Sequence, residues 1–156
     1  MAETELDMLV GLIDEYRDRL DAALDGLTEA EARRRLVPSR TTLLGLVRHV
    51  AFVEAVYFHE AVLGTPRAEL GLGTTPEASF TCRSTDTVAS VVAHHREVVA
   101  GSRRNLAGLG PDDEVSGPRG DPRQVRRLYL QVLRELAHHC GHADILREQV
   151  LAARDQ

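Results

Sequence analysis

Apolar residues recur at every third or fourth position along most of this chain, which is the spacing of amphipathic helices. A first long helix is predicted over about 3–26, a second over about 41–63, and a third from about 85 to between 108 and 110. A fourth follows Asp121 and Pro122, interpreted as an N-cap and a first-turn proline, and ends near Ala153. Thr28 and Glu31 have the spacing of a capping box, so they predict a short helix that ends before Pro38.

Two stretches lack helical spacing, and both are predicted as loops. One covers 64–84 and is rich in Gly, Pro and Thr, and the other is PDDEVSGPRGD, 111–121. No alternation typical of a β-strand and no internal repeat is found in the sequence. Four long amphipathic helices with two long connections predict an all-α fold, a four-helix bundle in which 1–156 form one domain.

Composition narrows the classes of protein that remain. The 156 residues are 43% hydrophobic, enough for a core, and the net charge is -5 with no basic stripe among aromatics, so nucleic acid is not an expected partner. We expect no signal peptide, no membrane span and a cytoplasmic location. The two cysteines do not form a disulfide or zinc-finger pattern: Cys140 is interpreted as a packing residue, and Cys82 as a loop thiol that is either reactive or a bystander.

The stretch LRELAHHCGHADILRE in the fourth long helix holds three of the seven histidines. With about 100° per residue and Glu135 set at 0°, the apolar stripe of this helix is centred near 55°. His139 then falls at about 40°, inside the stripe, whereas His142 at about -20° is marginal and His138 at about -60° lies outside. Glu135 lies at the edge of the stripe, and Gly141 inside the helix predicts a close contact with another helix.

Glu135 and His139 therefore form an inward-facing E-x-x-x-H pair. A carboxylate at the margin of an apolar core costs several kcal/mol unless a partner neutralises it. A divalent metal such as zinc would satisfy both groups, because imidazole nitrogen and carboxylate oxygen are among its usual ligands. The alternative is a structural polar pair, completed by an arginine from another helix.

A metal site would need a third protein ligand, and spacing alone leaves its identity open. His49, His59, His94 and His95 are the candidates. His95 lies on the apolar stripe of its helix and is slightly favoured, although a histidine there is more often a core residue. The second long helix is apolar almost all round, so its pattern does not single out His49, and Glu54 is its more core-facing polar residue.

Two motifs carry a resemblance to a known family. TLLGLVRH at 42–49 and E-x-x-x-H-x-G-H-x-D-x-L-R-E at 135–148, with EASF between them, resemble the DinB/YfiT-like superfamily. The similar branch contains mycothiol-dependent maleylpyruvate isomerase, and the resemblance covers nearly the whole chain. It implies a DinB-type bundle with an open divalent metal site whose ligands are His49, Glu135 and His139. Zinc is the commonest metal implied, with nickel, iron or manganese as alternatives.

The resemblance also implies an activity. A metal-bound low-molecular-weight thiol, mycothiol in actinobacteria, would attack an electrophilic small molecule as a thiolate. The enzyme is an S-transferase if the adduct persists, and a cis-trans isomerase if the thiol is expelled again. The alternatives are a metal enzyme that uses no thiol (a hydrolase, lyase or cyclase) and a non-enzymatic metal-binding stress protein. A homodimer is implied as well.

Three further residues are candidates for catalytic roles. Arg83, in the long loop, either holds an anionic group of the substrate or is a solvated arginine. His142 either lies at the rim of the pocket or has a plain surface role. Asp144 either orients a ligand or forms a salt bridge with Arg147 or Arg48.

Overall fold

The structure is a computed structural model that describes residues 2–156. The long helices are α1 (Glu5–Ala22), α3 (Leu43–Ala55), α6 (Val88–Leu106) and α7 (Val125–Ala152). The short ones are α2 (Glu29–Ala32), α4 (Ala61–Leu63) and α5 (Pro76–Ser79). A π-helical turn, Val56–Glu60, joins α3 to α4, and 3-10 turns cover Pro118–Gly120 and Ala153–Asp155. The strands β1 (Glu114–Val115) and β2 (Arg123–Gln124) pair antiparallel.

The four long helices pack as a bundle, which confirms the predicted fold class. Helix α1 lies along α7, and α3 packs between α6 and α7. The main core draws on all four, with Leu20, Leu46, Val91 and Leu136 as examples of its buried members. No helix within 2–156 is both long and apolar enough to cross a membrane.

Threonines define where these helices begin. Thr4, Thr28, Thr42 and Thr87 each adopt an extended backbone and accept a hydrogen bond from the amide three residues on. The predicted capping box of Thr28 and Glu31 is present. Such caps satisfy amides that the first helical turn leaves unpaired, so the sequence sets these boundaries locally.

Helix α7 differs from the prediction at two places. Asp121 is not its N-cap: pairing of β1 with β2 places Asp121 and Pro122 in a hairpin turn, and the helix starts at Val125 after Gln124. The loop prediction for 111–121 is therefore wrong in part, since it contains β1. Gly141 makes no close helix contact either, because it is exposed and a Cβ added there would meet no atom within 4 Å.

The π-helical turn interrupts the long helix that carries α3. Within this turn, the carbonyl of Phe58 accepts a hydrogen bond from Asn105 Nδ2 at 3.1 Å. His59 Nε2 lies 3.0 Å from the Val98 carbonyl, and Gly101 makes room for this ring, since a Cβ at Gly101 would lie 2.6 Å from His59 Cε1. Such π-turns are frequent near functional sites, and this one lies beside the pocket described below.

Candidate metal centre

Three side chains from two helices meet inside the bundle. His49 comes from α3, and Glu135 and His139 come from α7; one ligand atom from each lies within 4.8 Å of the other two. His139 Nε2 is 3.6 Å from Glu135 Oε2, and the two imidazole rings meet edge to face with centroids 4.6 Å apart. Both histidines are buried and Glu135 is half-buried. This is the ligand set that the family resemblance implies.

His49 is held in one orientation by Ser79, which ends α5. His49 Nδ1 lies 2.7 Å from Ser79 Oγ, and that hydroxyl donates its own hydrogen to the carbonyl of Pro76. Ser79 Oγ can then only accept from His49, so the imidazole proton belongs on Nδ1. This tautomer leaves the lone pair on Nε2 for a metal, as in most histidine ligands.

Phe80 packs directly against His49. The two rings stack with centroids 3.9 Å apart and an angle of 12° between their planes. Gly45, one helical turn before His49, allows this approach, because a Cβ at Gly45 would lie 2.5 Å from the Phe80 carbonyl oxygen. The glycine of the TLLGLVRH motif therefore has a packing role that serves the candidate ligand.

Hydrogen bonds also orient the two groups on α7. Gln131 Nε2 donates to Glu135 Oε1 at 3.1 Å, which leaves Oε2 toward His139. Arg134 donates to Gln131 Oε1 at 2.7 Å and fixes the amide. His142 Nδ1 lies 3.3 Å from His139 Nδ1, so it can accept the Nδ1 proton of His139 and leave Nε2 free.

The electrostatics of the cluster favour metal binding over protonation. Burial lowers the pKa of His49 to about 4. Burial, and secondarily the neighbouring histidines 49, 142 and 138, lowers the pKa of His139 to about 3. Both imidazoles are therefore neutral at pH 7, which is the form that binds a metal.

The donor set fits a divalent metal of the zinc type. Two neutral imidazole nitrogens and one carboxylate oxygen form a three-ligand set, and catalytic zinc sites typically have three protein ligands and an open position. A pocket of about 310 Å³ is lined by two of these groups, His49 and Glu135. Its lining also includes Phe52, Tyr57, Arg67 and Arg119.

His95 and Glu54, the two other core-facing candidates, lie away from this cluster. His95 Nδ1 is 2.7 Å from Asp21 Oδ1, between α6 and α1. Glu54 is fully buried and receives Arg17 Nε at 2.6 Å together with the hydroxyl of Ser102 at 3.0 Å. The arrangement proposed as the alternative for Glu135, a buried acid completed by an arginine from another helix, is found at Glu54.

Arg83 lines a neighbouring pocket of about 520 Å³ with Arg48, Asp86 and His94. This pocket shares Phe52 with the pocket that contains His49 and Glu135. Its charge is partly balanced, because Arg48 pairs with Asp86 at 2.6 Å. Arg83 is therefore beside the candidate metal pocket and does not line it.

Asp144 lies on the outside of α7. It forms an exposed ion pair with Arg19 at 3.0 Å, so the expected pairing with Arg147 or Arg48 is wrong. Arg147 instead donates to the carbonyl of Ala23. The physical reason is the helical repeat: Asp144 lies nine residues after Glu135, which places it on the opposite side of the helix.

Neither cysteine belongs to the candidate ligand cluster. Cys140 is buried, its Sγ lies 3.5 Å from the Tyr16 carbonyl, and burial raises its pKa to about 11. Burial also raises the pKa of Cys82, which is half-buried in the long loop. Both thiols are protonated at neutral pH, which disfavours a nucleophilic role for either.

Sequence reasoning missed the residues that support the ligands. Ser79 and Phe80 belong to the EASF stretch of the resemblance, but no spacing rule assigns them a partner some 30 residues away in α3. Gln131 could have been found, because it lies four residues before Glu135 and such pairs meet on one helix face. No motif or spacing in the sequence pointed to Arg67 or Arg119 as site residues.

The fold and this cluster define a DinB-like helical bundle with a candidate three-ligand metal centre open to a surface pocket. The chain matches the model of the family described as mycothiol-S-transferase over residues 8–152, and it belongs to that family. The resemblance drawn from the two motifs is thereby confirmed. No curated protein matches the chain.

Proposed function

We propose that this protein is a zinc-dependent mycothiol S-transferase, which joins the sulfur of mycothiol to an electrophilic small molecule. The observation that carries the proposal is the meeting of His49, Glu135 and His139, two of which line a surface pocket, in a chain of the mycothiol-S-transferase family. A thiol-dependent isomerase would share the first step, the attack of the thiolate. The family assignment favours transfer.

The metal supplies one piece of chemistry when bound: it lowers the pKa of a coordinated thiol, so that a thiolate is available at neutral pH. The released proton leaves to solvent through the open pocket. The sulfur then forms a bond to the electrophilic carbon. At a saturated carbon, the leaving group departs with the electron pair of its bond; at an activated double bond, the adjacent carbon takes a proton from solvent.

Residues of the chain prepare the pocket for this reaction. Ser79 and Gln131 each bind one atom of His49 and Glu135, which would leave the other ligand atom of each side chain free to hold a metal. Tyr57 lines the pocket, and burial together with the charge of Glu135 raises its pKa, so the phenol stays protonated and can donate a hydrogen bond to the substrate. The ring of Phe52 supplies an apolar wall.

The first experiment measures zinc content and transfer activity together. We expect roughly one zinc per chain in untagged wild-type protein, and loss of the metal in His49→Ala and in Glu135→Gln. Conjugation of mycothiol to monochlorobimane should be lost in the same variants and in chelator-treated protein, and should return when zinc is restored. Glu148→Gln is the matched control, because Glu148 is an exposed acid on the same helix. Metal retained in both ligand variants would contradict the proposal.

A second measurement separates thiol use from metal binding. In cobalt-substituted protein, addition of mycothiol should produce a sulfur-to-cobalt charge-transfer absorption, because the thiolate becomes a ligand. Absence of this band with metal stoichiometry intact would leave a metal enzyme that uses no thiol.

A further inference from the structure

Two arginines that line the candidate metal pocket, Arg67 and Arg119, both contact one buried acid, Glu60. Glu60 accepts Arg67 Nε on Oε2 at 3.0 Å and the backbone N–H of Arg119 on Oε1 at 3.3 Å. The side chain of Glu60 is only 7% exposed and that of Arg67 only 16%. Glu60 accepts only from Nε of Arg67. The two terminal nitrogens of Arg67 have no hydrogen-bond acceptor among residues 2–156.

Arg67 is also fixed against an aromatic ring. Its guanidinium carbon lies 5.8 Å from the centre of the Phe52 ring, and both residues line the pocket that holds His49 and Glu135. Because Glu60 binds Nε and the group stacks on the Phe52 ring, the plane of the guanidinium is held in one orientation. Its two terminal nitrogens lie in that plane. That geometry suits the two oxygens of a carboxylate or phosphate group.

Arg119 is held in a backbone conformation that an arginine rarely adopts. Its φ is 56° and its ψ is 26°, and within 2–156 every other residue with positive φ is a glycine. The loop is docked by Gly117, whose N–H donates to the Ala61 carbonyl at 3.0 Å. A glycine would take this left-handed conformation at lower energy. An arginine at this position therefore indicates a functional role for its side chain. Its guanidinium has no carboxylate partner within the described chain.

The charges of this pocket leave room for an anion. The carboxylates of Glu60, Glu77 and Glu135 balance the guanidinium groups of Arg67, Arg119 and Arg134 around the pocket. The two positive charges of a bound metal would then be unbalanced, and a thiolate would neutralise one of them. An anionic group on the second substrate would neutralise the other, which favours such a substrate in a partly desolvated site.

We propose that the electrophile is a small anionic molecule, and that Arg67 and Arg119 bind its carboxylate or phosphate group while its electrophilic carbon faces the thiolate. This inference rests on the proposed function. The neighbouring pocket with Arg83 is the less suitable anion site, because Asp86 already pairs with Arg48 there and the pocket lacks the metal-ligand residues.

The test compares three mycothiol conjugates that differ only in the group added to sulfur: S-carboxymethyl, S-phosphonomethyl and the neutral S-carboxamidomethyl. Calorimetric titration of zinc-loaded wild-type protein should give at least roughly tenfold tighter binding for one or both anionic conjugates. If the S-carboxymethyl conjugate gains more affinity, the substrate carries a carboxylate, and if the S-phosphonomethyl conjugate gains more, it carries a phosphate group.

Two variants remove the proposed anion site without leaving a buried charge alone. Arg119→Gly suits the left-handed backbone, and Glu60→Gln/Arg67→Gln removes both members of the ion pair. Each should lose most of the preference for the anionic conjugates while still binding the neutral one. Arg104→Gln, at an exposed arginine of α6, is the control and should keep the preference.

The outcomes separate the two proposals. Equal affinity of wild-type protein for all three conjugates, or a preference that survives in both variants, would overturn the anionic electrophile and leave the S-transferase standing. If no conjugate binds the zinc-loaded wild-type protein, the proposed function fails and the inference fails with it.

Discussion

A hydrogen bond to a serine determines which nitrogen of His49 is free in the candidate metal centre. Ser79 accepts from His49 Nδ1 at 2.7 Å, and this bond favours the tautomer with Nε2 unprotonated. Ser79→Ala should weaken zinc affinity by about 10- to 100-fold, the usual cost of losing such a supporting bond. Competition with a chromogenic chelator measures this. Ser84→Ala, at an exposed loop serine, should bind zinc like wild-type protein, and equal affinity in the two variants would refute the role of Ser79.

The same residues make the metal-free protein sensitive to acid. The pKa of His49 is about 4 and that of His139 about 3 in the folded state, against about 6.5 in the unfolded chain. Between these values the unfolded chain binds more protons, so the free energy of unfolding is highest above pH 6.5. It then falls by about 1.4 kcal/mol per pH unit for each histidine as the pH drops toward 4.

Urea unfolding of chelator-treated protein from pH 7 to pH 4 checks this expectation. The variant His49→Gln/His139→Gln should show a flatter dependence on pH, because neither glutamine titrates. The same pH dependence in the wild-type and variant proteins would mean that the two imidazoles are not held in their neutral form by burial.

At the scale of helices, the sequence predicts which side chains face inward when the helix has one polar face. The prediction is poor when the helix has no polar face. In α7 the count of 100° per residue placed His139 inward and His138 outward, as the structure has them. In α3 nearly every residue is buried, so no periodic signal could distinguish His49. His95 was correctly placed in the core, but periodicity cannot tell which neighbouring helix a side chain meets, and its partner is Asp21 on α1.

Two helical glycines in similar local structure should respond oppositely to alanine. Gly141 in α7 is exposed with open space around it, so Gly141→Ala should stabilise the protein by about 1 kcal/mol through helix propensity. Gly45 in α3 faces the Phe80 carbonyl, so Gly45→Ala should destabilise it by about 1–3 kcal/mol through overpacking. Thermal and urea unfolding measure both. Gly45→Ala should also weaken zinc binding, because Phe80 and Ser79 would shift away from His49; two stabilising substitutions would contradict the close packing.

For the molecule as a whole, α3 belongs to two polar clusters on different sides. Toward α7 it contributes His49 to the candidate metal centre. Toward α1 and α6 it contributes Glu54, which binds Arg17 through both carboxylate oxygens at 2.6 and 2.8 Å and accepts from Ser102. This double use explains why His49 and Glu54 are buried in α3, whereas its third charged or titratable residue, Arg48, pairs with Asp86 of the loop before α6 at 2.6 Å.

The cluster at Glu54 should hold the bundle together without serving the metal. Arg17→Met leaves Glu54 buried and unpaired, and Glu54→Leu leaves Arg17 without its main partner, so each should cost about 3–5 kcal/mol in the free energy of unfolding. The double variant Arg17→Met/Glu54→Leu removes both charges and should recover most of that loss, because apolar side chains of similar volume pack in their place. Urea unfolding of all four proteins gives the coupling energy. Zinc content should be unchanged in the double variant, since Glu54 and His49 serve separate clusters; loss of zinc there would mean that the two clusters position α3 jointly.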